Sequence, residues 1–159
     1  MIFVEIFSMI GNFISGVIFG YYLNDIIGIR ILGKDMIFNI CICYVVGLLV
    51  SRFGTLVVEK VLKKLKCINF ANYTDYVVAS KKDETLRFLS QINNFFRTII
   101  AMVFLMITAY VLSFFKAYLI EYKTPLTIIL GVLVLVLMIC SYKKQTEYIN
   151  KRVQICKGA

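Results

Sequence analysis

Cations and aromatic rings crowd one polar stretch of this 159-residue chain. Lys81, Lys82, Arg87 and Arg97 interleave with Tyr73, Tyr76, Phe88, Phe95 and Phe96. Cationic groups beside aromatic faces suit phosphates and stacked bases. A nucleotide or a short single-stranded nucleic acid is therefore the ligand class these residues would take, with Asn93 and Asn94 as further polar groups beside Arg97. The competing use is solvation of a helix that leaves the bilayer. Upstream, the run EKVLKKLK places Lys60, Lys63, Lys64 and Lys66 where each would add about 1 kcal/mol of attraction to anionic lipid headgroups.

Bond-making chemistry finds little support. The chain has no histidine, the commonest general base and metal ligand. It has no GxSxG, HExxH, CxxC or glycine-rich phosphate loop. The adjacent Asp83 and Glu84 read as the first turn of a helix. Five cysteines at irregular spacing (Cys41, Cys43, Cys67, Cys140, Cys156) do not form a disulfide framework and read as small apolar fillers or free thiols. The expectation is a non-enzyme with no catalytic residues, no metal and no cofactor.

A second pattern lies in the apolar segments. Glu5, Ser8, Asn12, Gly16 and Gly20 fall on one helical stripe, and Asn39, Cys43, Gly47 and Ser51 form a matching one at spacings of four. Small residues let helices approach closely, and Gly16 and Gly20 make a GxxxG pair. The two stripes serve either tight packing, within the chain or between copies, or the lining of a pore. Glu5 is costly in an apolar run. It reaches the interface, contributes to an acidic ring on a cation path, or pairs with Arg52 or Arg97.

The elements that must position these residues are membrane helices. Hydrophobic residues make up 60% of the chain and mean hydropathy is +0.84, against roughly 45–50% apolar in soluble domains. The surplus must face lipid. The fold class expected is all-α, an integral membrane protein of about four spans: residues 2–23, 36–58, 98–115 and 125–141. The organisation that follows is a hairpin (1–58), a basic helical segment (59–97), a second hairpin (98–141) and a basic tail (142–159). The segment should hold a short helix near 73–80, with Asn72 or Thr74 as its cap. A second helix should start near Asp83 and run on into the third span. Pro125 suits the first turn of the fourth helix, which can extend past the bilayer. The first span lacks a basic leader, so it reads as a retained helix and not a cleaved signal.

Net charge is +9. Nine Lys and Arg fall between Arg52 and Arg97 and five in the tail, against two in each of the other loops. The positive-inside rule then puts both termini in the cytoplasm.

The stretch SRFGTLVVEKVLKKLKCINFANYTDYVVASKKDETLRFLSQINNFFRTIIAM, about a third of the chain, carries a resemblance. With its SR-G exit from span two, lysine-rich helix, YTDY and NN-R entry to span three, it is similar to small bacterial multi-spanning membrane proteins. These include transmembrane effectors of antiphage defence such as the Hailong effector. That resemblance implies a homo-oligomeric ion channel, gated by a nucleic-acid-like signal, that depolarises the infected cell and is paired with a cytosolic nucleotidyltransferase. Rival functions are a membrane anchor or partner subunit, a holin-like lysis protein and a small transporter.

Overall fold

The computed structural model describes residues 2–29, 31–83, 85–115 and 123–157, and the side chains from Ile6 to Ile155 within most of these. Among the described residues it is all helical, with no strand. Four helices are long and apolar enough to cross a membrane, so the chain is a membrane-embedded all-α protein. Backbone N–H and C=O groups in lipid must pair within their own segment, which is why these apolar runs are helices.

Helix α1 (Ile2–Tyr21) ends in a π turn, Tyr22–Ile27. Gly28 stops it in the left-handed conformation (φ 79°), four residues beyond the sequence expectation, and its N–H donates to the Leu23 carbonyl. Asp35 starts α2 (Met36–Lys64) by accepting from Ile37 N at 2.9 Å. This helix contains a second π turn, Gly54–Val58, and continues past the expected end of the span. The short α3 (Tyr73–Lys82) follows. Asn72 sits at its N-cap position without a side-chain cap hydrogen bond. Asp83 caps α4 (Thr85–Ser113) through Thr85 N at 2.8 Å. Helix α4 runs unbroken from the polar segment through the third span. Helix α5 (Lys123–Lys157) carries the fourth span straight into the tail, with Pro125 in its first turn.

Length explains where the charged groups gather. At 1.5 Å per residue, 29-residue helices such as α4 are roughly 43 Å long and the 35-residue α5 roughly 52 Å. The hydrocarbon core needs only about 30 Å. Because the helices alternate in direction, the polar overhangs of α2, α4 and α5 emerge together at one end of the bundle.

The two small-residue stripes pack on each other. A Cβ added at Gly16 would lie 1.7 Å from the Cys43 carbonyl oxygen, and one at Gly47 1.8 Å from that of Asn12. Helices α1 and α2 therefore cross backbone against backbone, with Gly20 near Cys43 Sγ. On the other side of α1, Phe7 packs on Phe88 and Phe95 (centroids 5.8 and 5.9 Å). The core between α2 and α4 is Val50, Val58, Ala101 and Met102. Helix α5 rests on α2 and α3, and most of its apolar length, from Ile128 through Leu135, is exposed.

Asn39 belongs to the stripe by spacing but serves the loop. Its Nδ2 donates to the Gly33 carbonyl at 3.0 Å and its Oδ1 accepts from Gly33 N at 2.9 Å. Asn39→Ala should lower stability by about 1 kcal/mol in a micellar unfolding titration. A variant as stable as wild type would mean that the loop is held by other contacts.

Candidate anion-binding site

Glu59 organises the charged end of the bundle. It follows the π turn in α2, and its N–H donates to Gly54 O, five residues back. Gly54 allows α4 to pass close, since a Cβ there would meet the Arg97 carbonyl oxygen and the Ala101 Cβ at 3.2 Å. Three cations from three helices converge on the Glu59 carboxylate. Arg97 NH1 of α4 donates at 2.8 Å, Lys63 Nζ of α2 at 3.0 Å and Lys144 Nζ of α5 at 3.5 Å. Glu59 is only 7% exposed, so these charge-assisted bonds offset part of its desolvation. Lys144 also donates to the Thr55 carbonyl at 3.2 Å, within the π turn. Such turns free backbone acceptors and recur at functional sites.

The carboxylate falls short of the positive charge around it. Arg52, two residues before the π segment, makes no ion pair among the described residues and lines the same cavity as Arg97. Against Glu59, the one acid lining this cavity among the described residues, Arg52, Lys63, Arg97 and Lys144 leave a local excess of three positive charges. Among the described residues, Arg97 Nε and Ser141 Oγ are buried here without a hydrogen-bond partner.

These groups line a cavity of about 620 Å³ between α2, α3, α4 and α5. Aromatic rings share its walls with these cations. Tyr73 stacks on Tyr148 with centroids 5.2 Å apart and planes 25° apart. Tyr76 and Phe70 are also in this wall, and Lys63 Nζ lies 4.5 Å from the Phe70 ring centroid. Cations beside aromatic rings suit a ligand with a phosphate and a planar base.

The structure sorts the residues singled out in the sequence. Tyr73, Tyr76, Asn93, Asn94 and Arg97 come together on this cavity. Lys81, Lys82 and Arg87 line neither this cavity nor its inner neighbour. Lys81 and Lys82 are exposed in the last turn of α3 and Arg87 is half-buried in α4. Helical spacing alone puts them off the cavity-facing side. Of the lysines assigned to headgroups, Lys60, Lys63, Lys64 and Lys66 are all exposed, and Lys63 also reaches Glu59 and the Phe70 ring. Ser8, Asn12 and Ser51 line a second, deeper cavity, while Gly16, Gly20, Cys43 and Gly47 are consumed in the α1–α2 crossing. The side chain of Glu5 lies outside the described residues. Arg97, offered as its partner, is hydrogen-bonded to Glu59.

Sequence reading missed Glu59, Lys144, Ser141 and Tyr148. The Glu59–Lys63 spacing of four was a usable signal for one pair. The contacts from α4 and α5 span 38 and 85 residues and carried none. Among the described residues no group of three or more His, Cys, Asp or Glu is placed to hold a metal ion. Comparison with protein-family models, with curated proteins and with solved structures finds no match.

Proposed function

We propose that this chain is a non-enzymatic, ligand-gated membrane channel whose ligand is a nucleotide or oligonucleotide taken up at the Arg97–Lys144 cavity. The observation that carries the reading is the convergence of three cations on one carboxylate across three helices, beside stacked tyrosines in a cavity large enough for a mononucleotide. A phosphate entering there competes with Glu59 for Arg97 and Lys144. Glu59 holds α2, α4 and α5 to one another, so a ligand that replaces its carboxylate binds one arrangement of these helices better than another. That difference in affinity is what moves a two-state bundle.

The charge distribution favours a cytoplasmic position for this end and for both termini. The uncovered apolar length of α5 offers lipid, or a second copy of the chain, a face to lie against. Assembly as a homo-oligomer, service in bacterial antiviral defence and pairing with a cytosolic nucleotidyltransferase rest on the resemblance described above.

The test is planar-bilayer current from the purified protein, with and without ATP, cyclic nucleotides and short single-stranded DNA. Discrete currents that one of these ligands opens or closes are expected. Lys144→Gln should weaken the ligand's effect by about tenfold, the value of one charge-assisted hydrogen bond. Neutralising Lys81, Lys82 and Arg87 together should change it less than about threefold, because exposed charges act weakly through solvent. Silence under every condition would favour a membrane anchor or partner subunit. Large ligand-independent lesions would favour a holin-like protein.

A further inference from the structure

A second cavity of about 320 Å³ adjoins the first and extends inward between α1, α2 and α4. Arg52 and Arg97 belong to the walls of both. The inner walls are otherwise largely hydroxyl and amide, with Ser8 and Asn12 from α1, Ser51 from α2 and Thr98 from α4. Thr98 Oγ1 lies 3.3 Å from Ser51 Oγ. Deeper in the bundle, the backbone contact of Gly47 with Asn12 leaves no room for the space to continue.

The charge in this cavity is one-sided. Its only ionised lining side chains are Arg52 and Arg97, and no carboxylate lines it among the described residues. Arg97 gives NH1 to Glu59 in the outer cavity, while its Nε is buried without a partner among the described residues. Arg52 has no ion pair among the described residues. Arg97 shares Glu59 with two lysines, and Arg52 has no counter-ion among the described residues, which is costly beside a small space at the end of a membrane bundle. Thr98 Oγ1 donates to the Asn94 carbonyl at 2.9 Å, which leaves the Ser51 hydroxyl to donate to an anion.

We infer that the inner cavity is a binding site for a monovalent anion of the chloride class, held between the two guanidiniums and the Ser51 hydroxyl, which Thr98 positions. This site goes beyond the nucleotide cavity. Its consequence, that any current passes anions in preference to cations, rests on the channel reading.

The experiment reads the site without requiring conduction. Chloride-35 NMR linewidth is measured on the purified chain in chloride-containing micelles, with bromide and inorganic phosphate as competitors. Excess broadening is expected, and bromide should remove it. Arg52→Gln should weaken chloride binding at least about tenfold, with Arg52→Lys restoring part of it. Thr98→Val, which keeps shape and charge, should weaken it in the same direction and guards against a misfolded arginine variant. No excess broadening, or broadening indifferent to both Arg52→Gln and Thr98→Val, overturns the site. Displacement by phosphate at lower concentration than by bromide also overturns it, assigning the space to the nucleotide's phosphate tail. A protein that is silent in bilayers yet shows Arg52-dependent broadening supports the site and overturns the gating reading.

Discussion

Gly16→Ala is expected to unpack the first helical hairpin, at a cost of about 3 kcal/mol or more. The new methyl would lie 1.7 Å from the Cys43 carbonyl oxygen and 2.7 Å from Gly47 N. These are backbone atoms, so no rotamer change can relieve the clash, and α1 and α2 must separate. Separation is severe in a bilayer, where helix association depends on close packing and not on the hydrophobic effect. Gly47→Ala should behave alike, since its Cβ would lie 1.8 Å from the Asn12 carbonyl oxygen. Gly131→Ala is the control, because nothing lies within 4 Å of a Cβ there. Unfolding in mixed micelles on titration with dodecyl sulfate reads all three. If Gly16→Ala proved as stable as Gly131→Ala, α1 and α2 could not cross where these contacts put them. The same crossing bears on the small-residue stripes, since residues packed to backbone contact inside one chain have no surface left to line a pore.

Glu59→Gln should have the second largest effect, and its sign should depend on the ligand. In the empty protein, Arg97, Lys63 and Lys144 would lose their shared carboxylate. Arg97 and Lys144 side chains are only 18% and 24% exposed. Stranding partly buried charges in this way costs about 3 kcal/mol, at the low end for buried pairs because Lys63 is 47% exposed and can reach water. The ligand's phosphate would no longer have to displace an internal acid. Its affinity should therefore rise on the order of tenfold, and saturating ligand should restore much of the lost thermal stability through linkage. Thermal unfolding of wild type and variant, each with and without ATP or pyrophosphate, checks both halves. A variant that is destabilised and is not rescued by either anion would make Glu59 a structural staple and nothing more. A variant as stable as wild type would remove the clasp from the account altogether.

The contrast between these residues shows what is legible in one dimension. The four spans, the helical segment and the gathering of positive charge at one end follow from local properties. Apolar runs of sufficient length must be helical in lipid, because their backbone groups have no other partner. Both glycine stripes were visible too, since helical periodicity puts residues four apart on one face. Periodicity does not say what that face meets: it favours tight packing over the lining of a pore without naming the partner, and the contact of Gly16 with Cys43 puts that packing within the chain. Aromatic and basic residues near Arg97 were visible as a composition, and five of the eight chosen do share a cavity. Lys81, Lys82 and Arg87 stand out by charge and by aromatic neighbours along the chain, and neither signal carries a direction.

Only the tertiary structure decided that the single acid in a lysine-rich run, Glu59, would be the hub. Its partners Arg97 and Lys144 lie 38 and 85 residues away, and no local rule couples positions so far apart. The physical reason is helix overhang. Three helices longer than the bilayer is thick, running in alternate directions, bring the end of α2, the start of α4 and the tail of α5 to the same depth. There a carboxylate removed from water has to find its cations on whichever helices happen to stand beside it.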